Sequence, residues 1–151
     1  MFSLKDKLFM QRALELAMES FDDEEVPVGA VIVKDKKIIG EGKNKVISEN
    51  DVTSHAEINA LRDASKKIKN YRLNDCSMYV TLEPCHMCAK AVLDARISSI
   101  VFAALEPKTG SIVSIDNFLD KKMFNHIVTY RYGLMADESS MLLKKFFKLR
   151  R

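Results

Sequence analysis

The 151-residue sequence predicts an α/β fold, a three-layer α/β/α sandwich around a mixed sheet of about five strands. Three observations carry that expectation. Stretches with apolar residues three and four apart alternate with short β-branched apolar runs, as when helices cover a sheet. The run V-P-V-G-A-V-I-V (26–33) is too continuous and too β-branched for a surface helix and reads as a buried strand. The charged D-K-K that follows turns the chain into I-I-G-E-G (38–42), giving an antiparallel hairpin that opens a mostly parallel interior.

Leu4, Leu8, Leu14, Ala17, Met18 and Phe21 share one helical face, which predicts a helix over 4–21. After the hairpin, Ser54 to Lys67 reads as a helix with Ile58, Leu61 and Ala64 inward and with Ser54 and Glu57 in the positions of a capping box. C-S-M-Y-V-T-L (76–82) is a strand and residues 84–95 a helix; S-I-V-F-A-A-L (99–105) is another strand, closed by the polar turn E-P-K-T-G. A short helical stretch near 114–120, a weak strand over 126–131 and a last helix over 134–149 complete one domain spanning 1–151.

A chain of this length buries roughly 68–70% of its unfolded surface, so it needs no metal or disulfide merely to fold. With 47% apolar and 30% charged residues, five glycines and three prolines, it has the composition of an ordinary globular protein. Charges interrupt the first ten residues and no stretch approaches the 18 or so apolar residues of a membrane span, so the expected compartment is the cytoplasm. Three cysteines without an export signal argue for metal binding or catalysis rather than a disulfide framework. The net charge of +3 is modest, but Lys144, Lys145, Lys148, Arg150 and Arg151 gather at the C-terminus.

The stretch T-L-E-P-C-H-M-C (81–88) holds two cysteines three apart at a helix start, where both sulfurs share a face and the helix dipole favours thiolate. His55 opens another helix. Structural zinc takes four protein ligands and catalytic zinc three plus water, and the count here is three: His55, Cys85 and Cys88. Cys76 reads as a small core residue, and His86 points about 100° from its neighbours. Glu57 has two readings, the capping box or a general acid–base acting on a metal-bound water, and the company of His55 and the cysteine pair favours the second.

H-A-E (55–57) followed by P-C-H-M-C (84–88) resembles the zinc-dependent nucleoside and nucleobase deaminases. E-V-P-V-G-A-V-I-V, I-I-G-E-G-K-N, D-V-T-S-H-A-E-I-N-A-L, M-Y-V-T-L-E-P-C-H-M-C-A, P-K-T-G, A-D-E-S and F-F-K-L-R-R are similar, in order, to the bacterial tRNA-specific adenosine deaminases. The resemblance implies a cytidine-deaminase-like homodimer that converts the wobble adenosine of an arginine tRNA to inosine. It implies one Zn2+ per subunit on His55, Cys85 and Cys88, hydroxide generated at that zinc, and Glu57 as proton shuttle. It also implies substrate contacts by Asn44, Val28 and Ala56, by Glu106 and Lys108 around P-K-T-G, and by Phe147 and Arg150 in the tail. Glu106 stands where the family commonly has aspartate, Ser54 where alanine is common, and His86 where an apolar residue is usual.

Other readings stay open at the level of residues alone. The tail M-L-L-K-K-F-F-K-L-R-R is equally an amphipathic helix that buries Leu142, Leu143, Phe146 and Leu149 under solvated lysines. The zinc signature is shared with deaminases of free bases or nucleosides. A non-enzymatic zinc-containing RNA-binding module and a Cys-x-x-Cys redox protein are the remaining alternatives.

Overall fold

The computed structural model describes residues 1–150; Arg151, counted above with the basic tail, lies outside the described residues. Helix α1 (Leu4–Asp22) leads into strands β1 (Gly29–Lys34) and β2 (Lys37–Lys43), a short helix α2 (Val46–Glu49) and helix α3 (Ala56–Ile68). Strand β3 (Ser77–Leu82), helix α4 (His86–Asp94) and strand β4 (Ser99–Ala104) follow. A 3-10 turn (Phe118–Asp120), strand β5 (Thr129–Tyr132) and helix α5 (Ala136–Lys148) close the chain.

The five strands lie in the order β2-β1-β3-β4-β5. The interior is less parallel than the sequence suggests, because β1 is antiparallel to both β2 and β3, while β3, β4 and β5 run parallel. Since β2 and β3 both oppose β1, they run the same way on either side of it, and α3 is the crossover that links them. The hairpin turns through Asp35 and Lys36, both at positive φ (52° and 63°), the two-residue geometry that matches strand twist.

Alternation along β1 divides the core. Ala30 and Ile32 face α3 and α4 together with Met78, Val80, Ile100 and Phe102, whereas Val31 and Val33 join Met10, Ala13 and Leu16 of α1 beneath Tyr79, Val101 and Ala103. The expected three layers are therefore present. Helix α1 starts in a capping box, with the Asp6 amide donating to Ser3 Oγ (3.0 Å) and the Ser3 amide to Asp6 Oδ2 (2.9 Å). Burial alone would raise the Asp6 carboxyl, but hydrogen bonds from the Tyr79 hydroxyl, the Ser3 amide and Arg131 outweigh it and hold it at about 2.

Two close approaches fix the helices on the sheet. A Cβ on Gly29 would strike the Ala13 carbonyl of α1, and one on Gly42 would strike the Ala56 carbonyl and the Ala60 amide of α3. Gly42 thereby seats the first turn of α3, where His55 and Glu57 sit.

Three local expectations are corrected. The Ser54 and Glu57 capping box does not form: His55 is the N-cap, without a side-chain bond, while the Ser54 hydroxyl donates to Glu49 at 2.5 Å and accepts from Asn59 Nδ2 at 3.0 Å. The turn of α2 brings Glu49 within reach of the Ser54 hydroxyl. The helix expected over 114–120 shrinks to Phe118–Asp120, because the Phe118 amide, which an α-helix begun at 114 would bond to the Ser114 carbonyl, donates to the Ser111 carbonyl instead (2.9 Å). In the tail, of the four apolar residues expected to pack, only Phe146 is fully buried; Leu142 and Leu143 are half-buried and Leu149 is 64% exposed.

Candidate active site

The N-termini of α3 and α4 meet under the cavity wall and place three donor side chains together. His55 is the N-cap of α3, Cys85 the N-cap of α4, and Cys88 lies three residues further on, inside the first turn. His55 Nδ1 stands 3.7 Å from Cys85 Sγ and 3.5 Å from Cys88 Sγ, and all three ligand atoms fall within 4.8 Å of one another. A tetrahedral zinc with bonds of about 2.3 Å to sulfur and about 2.0–2.1 Å to nitrogen requires a sulfur–nitrogen separation of about 3.6 Å. The spacing and the two-thiol, one-imidazole donor set therefore fit that ion.

Electrostatics match the geometry. The Cys85 thiol is pulled down to about 4, first by the hydrogen bond from Cys88 and then, against burial, by His55. Cys88, which donates that bond from a buried position, is pushed upward, and His55 is raised chiefly by its bond to Cys85. Without metal the three side chains share protons around one thiolate. A divalent cation replaces those protons, so binding releases them and strengthens with pH.

Glu57 is 4% exposed and its carboxyl is pushed up to about 7, mainly by burial. It lines a cavity of about 280 Å³ together with Val28, Asn44, His55, Ala56 and Cys85, so five of the sequence-derived pocket and metal residues plus Glu57 share one wall. That volume is at the small end for ligand sites, room for a base rather than for a whole nucleotide chain. Asn44 spends half of its amide tying its loop to the segment before β1, donating to the Val26 carbonyl (3.1 Å), and on its own turn, accepting from the Val46 amide (3.3 Å). One N–H and one lone pair remain.

A second concavity, about 790 Å³, holds the other sequence-derived residues: Glu106, Lys108, Phe147 and Arg150, joined by Lys144 and Lys148. Four cations and a half-exposed aromatic ring thus line one groove beside the loop that also sends Thr109 into the base-sized cavity. The Arg150 guanidinium lies 3.7 Å from the Phe146 ring centroid, holding the tail against the helix. His86, expected to be no ligand, turns to Asp116 (Nε2–Oδ2 2.9 Å) and to the edge of Phe118, and Cys76 is buried as a core residue.

Two buried carboxylates at this cavity escape sequence reasoning. Glu25 accepts the amides of Ile47 and Ser48 (3.0 and 2.8 Å), and Glu83 accepts amides from the 106–114 loop. Both stand in quoted motifs, E-V-P-V-G and T-L-E-P-C, but nothing in a sequence distinguishes a buried glutamate from a solvated one.

Comparison with known proteins agrees with this arrangement. A family model described as MafB19-like deaminase matches residues 4–151. A tRNA-specific adenosine deaminase of Haemophilus influenzae is 49% identical over 147 residues, 97% of this chain and 85% of its own. The chain belongs to the tRNA-specific adenosine deaminase family. A structure from a study of A-to-I editing by tRNA:A34 deaminases at the wobble position of transfer RNA superposes with a TM-score of 0.87 at 39% identity, covering 90% of this chain and 99% of that one. A guanine deaminase from Nitrosomonas europaea is similar at a lower level, with a TM-score of 0.77 and 25% identity over 93% of this chain and 83% of its own. The family is one of deaminase enzymes, and its fold is the mixed five-stranded α/β sheet described above. Among the described residues no helix is long and apolar enough to cross a membrane.

Proposed function

We propose that this enzyme hydrolyses the wobble adenosine in the anticodon of an arginine tRNA to inosine, with one zinc ion per subunit and Glu57 as proton carrier. One observation carries the reading: a metal-type donor set, a buried carboxyl and a cationic groove are arranged around a single base-sized cavity. Zinc held by His55, Cys85 and Cys88 supplies a Lewis acid that lowers the pKa of water from 15.7 to about 7.

Glu57 handles the protons. Burial lifts its carboxyl to about 7 in the metal-free site, and a buried carboxyl able to gain and lose a proton suits general acid–base catalysis. It accepts the proton released as water adds to C6 of adenine and delivers it to N1. A second proton then passes from the new C6 hydroxyl through Glu57 to the exocyclic amine. The C6–N bond breaks, ammonia leaves, and the oxygen stays on C6 as the carbonyl of inosine. Each turnover consumes one water and releases one ammonia.

A base stacked in a duplex cannot enter a closed cavity, whereas an anticodon loop offers bases already splayed. Val28 and Ala56 pack on the base and the free amide valences of Asn44 address its nucleotide. Glu106, Lys108, Phe147 and Arg150 take the flanking phosphates and bases, the cations by charge and the aromatic ring by stacking. The exposed apolar side chains of Ile47, which lines the cavity, and of Val52 suit association as a homodimer. The three free cysteines suit the reducing cytoplasm.

The likeness to a guanine deaminase favours one rival, turnover of a free base. The test is incubation with an anticodon stem-loop RNA and, separately, with guanine, cytosine and free nucleosides. Deamination of the RNA is the expected outcome; turnover of the small molecules alone contradicts the reading.

A further inference from the structure

Glu83 lies between the last strand residue of β3 and Cys85, is 2% exposed, and touches no cation among the described residues. Its carboxylate is instead saturated by one loop. Oε2 accepts the amides of Ile112 (3.1 Å), Val113 (2.8 Å) and Ser114 (2.9 Å); Oε1 accepts the amide of Glu106 (3.0 Å) and the Ser114 hydroxyl. The neighbouring Pro84 carbonyl binds the same segment, accepting from Ser111 N (2.9 Å) and Ser111 Oγ (3.0 Å). Gly110 completes the fit, since a Cβ there would strike the Glu83 carboxyl and the Glu106 carbonyl.

The loop wound round this carboxylate is the one that carries Glu106 and Lys108 to the cationic groove and Thr109 to the base-sized cavity. We infer that Glu83 is a positioning residue: it locks the 106–114 loop to the start of α4, and so sets the distance between the groove that grips the RNA backbone and the cavity that receives the base. This rests on the RNA reading above. Four backbone amides held by one buried anion form a fixed arch, because removing the anion leaves donors buried without a partner. No part of the arch contributes a donor atom to the metal-type cluster.

The test compares wild type, Glu83→Gln and Ser114→Ala as full-length, zinc-loaded protein. Gln keeps the side-chain size but sets an NH2 group against the Glu106 amide; Ser114→Ala removes only the hydroxyl donor and spares the fold. Amide hydrogen exchange of residues 106 and 112–114 is expected to speed up on the order of tenfold or more in Glu83→Gln, and less in Ser114→Ala. KM for the anticodon stem-loop is expected to rise roughly 10–100-fold, the cost of buried amides left without a partner, with a smaller change in kcat and one zinc per chain retained. Unchanged exchange in the loop overturns the inference, as does a loss confined to kcat that tracks loss of zinc. If wild type leaves the RNA untouched, the proposed function fails, while the exchange rates still decide the role of Glu83.

Discussion

The imidazole Nδ1 of His55 stands 3.5 Å from the sulfur of Cys88, across a sequence separation of 33 residues. Two helix N-termini must be held face to face to bring these atoms together, and Cys85, at 3.7 Å from the same nitrogen, closes the triangle. His55→Ala is expected to leave less than one zinc per chain after dialysis and to abolish deamination, and chelation of wild type to do the same reversibly. Metal analysis by mass spectrometry checks this; a fully active zinc-free protein would remove the trio from its role.

Glu57 makes two separable predictions. Glu57→Gln is expected to keep zinc and to lose about 10²–10⁴-fold in kcat, the usual share of a general acid–base. In the metal-free protein the sign of its effect on stability is reversed. The folded carboxyl sits at about 7 and the unfolded one at 4.5, so the native state binds the extra proton between those values. Stability therefore falls as pH rises through that window, by on the order of 3 kcal/mol. Metal-free Glu57→Gln should be more stable than wild type by that order at pH 8 and equal to it near pH 4, as read by urea unfolding.

Gly42 links the sheet to the site. A methyl group there meets the backbone of Ala56 and Ala60, so Gly42→Ala must push α3 off β2. A cost of about 1–3 kcal/mol is expected, with about 2–4 °C of melting temperature lost for each. Because His55 caps that same helix, zinc affinity should fall together with stability. A melt with and without added zinc distinguishes this coupled loss from simple destabilisation.

The groove should announce itself through salt. Each phosphate neutralised on a single strand contributes a slope of about −0.7 in log K against log salt. Lys144→Gln and Lys148→Gln are each expected to flatten the slope for anticodon stem-loop binding by about that amount. They should leave the zinc content unchanged. A slope unaffected by both changes would mean that the groove does not carry the RNA.

The strands and the donor trio were legible because both are written in spacing. The β-branched run at 26–33 could only be a buried strand, and Cys85 with Cys88 could only share a face. The antiparallel β1–β3 pairing was not legible, because the direction of a neighbour depends on how α3 crosses over the sheet rather than on any local pattern. The partner of Ser54 is not legible either, because residues 46–49 are too few to show a helical period, yet their turn delivers Glu49 to its hydroxyl. Glu25 and Glu83 were invisible for a different reason: their partners are backbone amides, which every sequence supplies. Phe147, Lys108 and Arg150 were suggested by resemblance, and the fold brings them to one groove.

In the proposed function, the cavity over His55, Cys85, Cys88 and Glu57 receives the wobble adenosine of an arginine tRNA. Sequencing a whole tRNA pool after incubation with the zinc-loaded enzyme, reading adenosine-to-inosine changes at every position, tests it most directly. The expected result is conversion at the wobble position of arginine tRNA, absent with Glu57→Gln. An unchanged tRNA pool, with free guanine or nucleosides turned over by the same preparation, would contradict it.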